Sequence, residues 1–229
     1  MGFITASKCK AVFTRQKTLD RTNSSEITVL AKSIAAKPAL NPAISKPDNP
    51  DNPRDWGLKK EEEARKCYSL VAGKKHHKFK LCHKGFQICK QKPFMGASVD
   101  DLRSCECSSK CGNAVVEYKC PWVHRNNDPK EAFVSQQVGG VLIGNSYYLR
   151  NKSRYYYQVQ MQMFVIGVNF CDFVVWTTKG IHYTTIMFEP SFMNAVCINL
   201  QKFWVNQIAS LMVMKQINAL AVTTGTICY

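Results

Sequence analysis

The sequence predicts an α/β (α+β) domain with a central mixed β-sheet flanked by helices. Three observations carry that expectation. The apolar period changes along the chain in the order helix, strands, helix, strand, strand, helix, the alternation of a layered domain. Ala114–Cys120 is a strand-forming run closed by Pro121. Finally, 45% hydrophobic and 21% charged residues over 229 positions suit one sizeable core and exclude a chain that is disordered or low-complexity throughout.

Taken in order, Thr5 to Lys17 reads as a short helix that the Thr5 hydroxyl can cap, and Ser24 to Ala36 as a second. Lys37 to Asp55 holds five prolines among Asn and Asp, so it is expected to be a linker or loop. Helical composition returns over Trp56 to Ala72, with Leu58, Ala64, Cys67, Tyr68 and Val71 as the expected buried face. From Lys78 the period becomes two, giving strands around Phe79–Leu81 and Phe86–Cys89, then Phe94 to Leu102. A polar Cys-rich turn separates these from Ala114–Cys120. Asp128-Pro129 opens a helix through Val138, and Ser153 to Gly167 is a helix with Tyr155, Val159, Met163 and Ile166 on one stripe. Cys171 to Thr177 and His182 to Phe188 are strands, and Pro190 to about Met214 is a long last helix.

Lys+Arg outnumber Asp+Glu by 31 to 16, a net charge of +15 that points to a polyanionic partner. No stretch qualifies as a membrane span, since Met163–Trp176 contains Asn169 and Asp172, and Val205–Val222 is broken by Asn206, Gln207, Lys215 and Asn218. Eleven cysteines with no secretory signal at the start imply an intracellular, reducing compartment, the nucleus included. Cys105, Cys107, Cys111 and Cys120 are spaced C-x-C-x₃-C-x₈-C rather than as the close pairs of common zinc modules, so unligated thiols are the preferred reading over structural zinc. His76-His77, among Lys74, Lys75, Lys78 and Lys80, reads as a solvated basic loop with DNA-backbone contact as the alternative.

The chemistry concentrates in Val115-Val116-Glu117-Tyr118-Lys119-Cys120-Pro121. On a strand, Glu117 and Lys119 share a face, and a carboxylate and an ammonium inside an apolar strand are costly unless a mutual pair, a metal or a partner charge compensates them. Gly96-Ala97-Ser98-Val99-Asp100 precedes a short polar turn, so the two segments can pair and bring Asp100 near Glu117. Converging carboxylates suit a hard divalent cation, which would make a bound water more acidic, while Lys119 would hold or deprotonate that water or offset developing charge.

Asp followed by Glu-X-Lys resembles the core of the PD-(D/E)XK nuclease superfamily. Gly-Ala-Ser-Val-Asp, Val-Glu-Tyr-Lys-Cys-Pro and Tyr155-Tyr156-Tyr157-Gln158-Val159-Gln160-Met161-Gln162-Met163 together resemble the YqaJ-type viral recombinase domain, the phage lambda exonuclease family. Ile4-Thr5-Ala6-Ser7 is similar to that family's opening helix, Trp56-Gly57 with Glu61 and Ala64 to its Gly-x-x-x-Glu-x-x-Ala helix, and Cys171–Thr177 to the strand after its glutamine helix.

The resemblance implies a restriction-endonuclease-like core over residues 56–210, an N-terminal helical part at 1–36, a Pro-rich linker at 37–55 and a divergent tail at 211–229. It implies Asp100 and Glu117 as metal ligands, with Glu61 and the Tyr118 carbonyl adding to them, and Lys119 as the catalytic lysine. Gln158 would orient lysine, water or DNA, and Ser7 would contact a 5′-phosphate. Lys8, Arg125 and Tyr155 are further DNA-contact candidates. The cofactor would be Mg²⁺, with Mn²⁺ as substitute. The partners would be double-stranded DNA, further copies in a homotrimer and a single-strand annealing protein.

Two features depart from the family pattern. Ser98-Val99-Asp100-Asp101 replaces Ser-Pro-Asp-Gly, so Asp101 could compete as a ligand. The family's phosphate-binding arginine, seven positions before the serine, would fall ahead of Met1, so the expectation is either a shortened start or a missing phosphate anchor. The expected function is a metal-dependent deoxyribonuclease, an exonuclease on duplex ends in recombination or repair. A structure-specific endonuclease and an inactive DNA-binding relic are the rivals.

Overall fold

The computed structural model describes residues 2–36, 52–107 and 111–223, with side chains through residue 218. In chain order the elements are β1 (Ile4–Thr5), α1 (Cys9–Thr22), α2 (Val29–Ala35), α3 (Pro53–Gly73), β2 (Lys80–Cys82), β3 (Gly85–Ile88), β4 (Met95–Val99), β5 (Asp101–Ser104), β6 (Ala114–Lys119), α4 (Pro129–Val134), β7 (Gly140–Ile143), β8 (Ser146–Leu149), α5 (Arg154–Ile166), β9 (Phe170–Thr177), β10 (Gly180–Met187), α6 (Pro190–Phe203) and α7 (Ser210–Thr223).

The main sheet has the order β10-β9-β6-β5-β2, with only the β6–β9 contact parallel. A parallel neighbour requires a crossover, and the segment between β6 and β9 supplies it with α5. A smaller sheet, β1-β4-β3, and the β7–β8 hairpin complete the strands described. Helix α3 covers one face of the main sheet, where Ala64, Tyr68 and Ala72 meet Val116, Tyr118, Val174 and Trp176. Helix α5 covers the other, where Tyr156, Val159 and Met163 meet Val115, Cys171, Phe173 and Val175. The far side of α5 packs through Met161 against α1 and α6 (Val12, Met193, Leu200, Phe203), so this helix is buried nearly all round. The architecture is the expected mixed α/β one.

Several elements differ from the sequence reading, each for a local reason. Ile4 and Thr5 form a strand because their backbone pairs in parallel with Met95 and Gly96. A 3₁₀ turn over Ala6–Lys8 follows, so α1 starts only at Cys9, and the Thr5 hydroxyl lies 3.2 Å from the Ser7 hydroxyl instead of capping a helix. The second helix is only Val29–Ala35, capped by Thr28. Most of the expected linker, residues 37–51, lies outside the described residues, but Pro53 opens α3 with Asn52 capping it, since proline is at ease in a first helical turn. Leu58 and Val71 are exposed on α3, and Ala72 is buried instead. The expected helix over 128–138 ends at Val134. Gly144-Asn145 turns an unforeseen hairpin, with Ile143 opposite Ser146 and Gly144 at φ +57°. The last helix is interrupted by a π turn at Trp204–Ala209, which presents buried Gln207 to the Thr28 N–H and the Glu26 carbonyl.

The sheet also buries an ion pair. Asp172 on β9 accepts from Arg103 Nε (2.7 Å), the Tyr68 hydroxyl (2.6 Å) and the Thr185 hydroxyl (2.6 Å), joining β5, α3 and β10. Removing one partner of such a pair leaves the other charge buried alone. Asp172→Ala is therefore expected to cost about 3–5 kcal/mol of stability by chemical denaturation.

Candidate active site

The alternation of β6 sorts its residues between two environments. Val116 and Tyr118 face α3, whereas Glu117 faces α5. Glu117 is buried and ringed by donors: Lys119 Nζ and Gln158 Nε2 (2.6 Å) reach Oε1, and Gln162 Nε2 (2.6 Å) reaches Oε2. Gln162 also donates to the Ser98 carbonyl at 2.9 Å, and so ties Glu117 to β4.

Asp100 sits where the chain leaves one sheet for the other. The expected continuous strand over Phe94–Leu102 is broken there, with Val99 pairing with Gly85 in the small sheet and Asp101 pairing with Val116 in the large one. That register sets Asp100 beside Glu117, and Asp100 Oδ2 accepts the Tyr118 N–H at 2.9 Å. Asp101 points the other way, accepting from Arg65 Nε (2.7 Å) and the Tyr118 hydroxyl (2.9 Å). Its Oδ2 is thus held from the α3 side, while the side chain still borders the cavity that reaches Asp100.

The three adjacent glutamates of α3 separate cleanly. Glu62 lies toward Arg65 and Lys66, and Glu63 pairs with Lys60 at 2.6 Å. Of the three, Glu61 is the one half-buried in the field of Lys119 and Glu117, while Glu62 lies at the rim of the cavity that reaches Asp100. Glu61, Asp100, Glu117, Lys119 and Gln158 are thus brought together.

The carboxylates strain against one another. Burial and the neighbouring Glu117 push Asp100 up to about 8, against the pull of Lys119 and the Tyr118 N–H. Burial also raises Glu61, with Lys119 opposing and Glu117 reinforcing. Burial alone would lower Lys119, but Glu117 and Asp100 outweigh it and hold the ammonium above its ordinary range. Half-buried carboxyls that resist ionising together are a donor set short of positive charge, which fits a divalent cation.

The site opens into a cavity of about 420 Å³ lined by Gly57, Glu61, Lys119, Trp122, Arg154 and Tyr155. Glu61 is shared with a second cavity of about 310 Å³ that reaches Asp100 and His83. Arg154 is shared with a basic recess of about 530 Å³ walled by Lys10, Arg150 and Lys152. Ser7 lies further along, in a depression it shares with Lys10, Arg15 and Arg154. Tyr155 stands between Lys119 and Arg154, whose charged groups lie 5.0 and 4.6 Å from its ring centroid. Tyr156 and Tyr157 instead pack on Phe192.

Two further contact candidates are not among the residues that line these cavities. Arg125 stacks on Trp122, itself a wall of the cleft, with its guanidinium 3.7 Å from the ring centroid and bonded to the Trp122 carbonyl at 2.9 Å. Lys8 is exposed at the end of the 3₁₀ turn, between Ser7 and Lys10 in sequence.

The sequence reading missed Gln162 and Arg154. The i, i+4 spacing from Gln158 was a visible signal for Gln162, because it sets both amides on one helix face. Arg154 opens α5 just after the Ser153 cap, a position where a cation strengthens an anion site already favoured by the helix terminus.

The fold and this cleft define the class as a restriction-endonuclease-like domain with paired carboxylates and a lysine. The chain belongs to the YqaJ-like viral recombinase domain family, whose profile matches residues 1–169. Among solved structures it is similar to an alkaline exonuclease (LHK-Exo) from Laribacter hongkongensis, with TM-score 0.63 and 20% identity over 95% of this chain and 94% of that one. It is also similar to a phage-related exonuclease from Haemophilus somnus 129PT, with TM-score 0.53 and 15% identity over 94% of this chain and 96% of that one. A sequence search of curated proteins finds no significant match.

The raised Asp100 makes a testable statement about the metal-free protein. Its folded pKa lies above the unfolded value of about 3.9, so the folded state keeps a proton that the unfolded state loses. The stability it contributes is fully present below about pH 4 and is lost as pH rises toward about 8. Asp100→Asn is expected to flatten that slope and to be more stable than the wild type at pH 8, as read from urea midpoints measured without Mg²⁺ or Mn²⁺ at both ends of the range.

Proposed function

We propose that this protein is a metal-dependent DNA exonuclease acting on duplex ends. The observation that carries the reading is the convergence of Glu61, Asp100, Glu117, Lys119 and Gln158 on one cleft, in a chain of this family. The similarity to two exonucleases supports it, as does a net charge of +15 suited to a polyanion.

Asp100 and Glu117 would hold the cation, with the Tyr118 carbonyl and Glu61 completing or extending the set. Mg²⁺ is the proposed ion and Mn²⁺ its substitute, and when bound it would supply Lewis acidity at the phosphodiester and a more acidic water. Lys119 Nζ carries its proton, so it acts as a donor: it orients the attacking water or meets the charge growing on the phosphoryl oxygens. Gln158 and Gln162 fix the Glu117 carboxylate so that both its oxygens keep their place. Tyr155 offers a ring at the cleft for a base at a frayed end. The recess walled by Lys10, Arg150, Lys152 and Arg154 would receive a terminal phosphate at the start of α5. Assembly as a homotrimer around DNA, testable by sedimentation, and a single-strand annealing protein as partner belong to the same reading.

The test is digestion of a linear 5′-phosphorylated duplex with Mg²⁺, beside a closed circle. Loss of the linear DNA alone, reduced on the order of 10²-fold or more by Lys119→Ala, is expected. Cutting of the circle would replace the exonuclease with an endonuclease, and binding without any cutting would leave a DNA-binding protein. Arg154→Gln is further expected to erase the preference for a 5′-phosphate over a 5′-hydroxyl end, by roughly tenfold in kcat/KM, while Lys119-dependent cutting persists.

A further inference from the structure

At the other end of β6 from Lys119, about 17 Å along the strand, lies a second cluster that the cleavage site does not use. His76, in the loop after α3, meets Cys105, Cys107 and Cys111, which flank the β5–β6 turn, and the four ligand atoms all lie within 4.8 Å of one another. Cys105 Sγ and Cys111 Sγ are 3.4 Å apart, Cys111 Sγ and His76 Nδ1 3.2 Å, and Cys107 Sγ and His76 Nδ1 3.8 Å. A sulfur separation of 3.4 Å is far too long for a disulfide, whose bond is about 2.05 Å. It is close to the edge of a tetrahedron drawn around an ion with metal–sulfur bonds of about 2.3 Å, which is about 3.8 Å. Cys120, grouped with these thiols by its place in the sequence, is buried instead in the α3-side core.

We propose that His76, Cys105, Cys107 and Cys111 form a structural Zn²⁺ site that staples the end of α3 to the β5–β6 hairpin. Three soft thiolates and an imidazole, close enough together to surround one ion, select zinc among the common divalent ions. Four protein ligands leave no open position, so the ion holds structure and does no chemistry.

The surroundings are built for thiolates. Arg103 Nη1 reaches the Cys105 and Cys111 sulfurs at 3.8 and 3.6 Å and the Gly112 carbonyl at 3.2 Å, while its Nε is bound to Asp172. The His77 N–H donates to Cys107 Sγ at 3.2 Å. Such outer donors orient ligands and offset the negative charge of a three-thiolate site. The elements joined are those that carry Glu61 on one side and Asp100, Glu117 and Lys119 on the other. The sequence spacing concealed the site because its fourth ligand is a histidine from a different element, 29 positions before Cys105.

The experiment is metal analysis of the full chain purified without chelator. One zinc per chain is expected, retained in Asp100→Asn/Glu117→Gln and in Cys120→Ser, and lost in Cys107→Ser and in His76→Ala. Because those losses could reflect misfolding, His76→Cys serves as the second variant: it should keep zinc and, loaded with cobalt, show a stronger thiolate-to-metal charge-transfer band than the wild type. A chelator that strips the ion should lower the melting temperature, with recovery on adding zinc. A zinc-free folded chain with freely titrating thiols, a Cys105–Cys111 disulfide by mass, or zinc that leaves with the Asp100/Glu117 substitutions would each overturn the proposal. None of these readouts depends on nuclease activity, so the zinc site stands or falls apart from the function proposed above.

Discussion

The structure turns on the cost of placing carboxylates in the middle of a β-sheet. Two such groups sit on adjacent strands and on opposite faces, Glu117 on β6 toward α5 and Asp172 on β9 toward α3. Asp172 is fully compensated within the chain, since Arg103, Tyr68 and Thr185 all donate to it. Glu117 is surrounded by donors too, but it shares its neighbourhood with Asp100 and Glu61, and one lysine among three carboxylates leaves that face short of positive charge. The Asp172 cluster is therefore complete as folded, and the carboxylates of the cleft form a donor set that fits a cation.

The strand period decides which residue serves which face. Asp100 and Asp101 are neighbours in sequence with opposite fates, because successive side chains of an extended chain point to opposite sides. Asp101 joins Arg65 and the Tyr118 hydroxyl on the α3 side, and Asp100 joins Glu117 on the other. Tyr118 serves both, its hydroxyl fixing Asp101 and its backbone N–H fixing Asp100. The switch between sheets at Asp100 frees that carboxylate from a continuous ladder and lets it turn toward the cleft. The glutamines of α5 follow the same logic: in a helix buried nearly all round, each amide needs a partner. Gln158 and Gln162 find Glu117, and Gln160 bridges the Met187 carbonyl and the Glu189 N–H.

Much of this was legible in the sequence where a strong period met a chemical oddity. Glu117 and Lys119 stood out because charges interrupt a strand-forming run, and β9, β10 and α5 lie within a few residues of their expected places. What was not legible depended on distant pairing. Ile4 and Thr5 are a strand only because β4 lies beside them, and a cap signal at Thr5 cannot reveal that. The choice among Glu61, Glu62 and Glu63 required the rotation of α3 against the sheet, which Gly57 spacing approximates but Ala64, Tyr68 and Ala72 determine. The β7–β8 hairpin had its signal, a two-residue Gly-Asn turn between apolar runs, and was overlooked. Arg125 stacks on Trp122 at the cleft wall, a contact that only the folded loop displays.

The two faces also divide stability from chemistry. A cleft in which Asp100 resists ionisation opposes folding at neutral pH, so its geometry must be held from outside the cleft. The opposite face does this. Arg103 on β5 and Asp172 on β9 lie on either side of β6, and their contact fixes the strands that flank it without using any residue of the cleft. Tyr68 adds α3 to the same joint, and Glu61 sits two turns back along that helix. The positions of Glu61, Asp100, Glu117 and Lys119 are thus inherited from a buried network that none of them belongs to. A substitution in that network would disturb the cleft by displacing β5 and α3, and would leave every one of its ligands chemically intact.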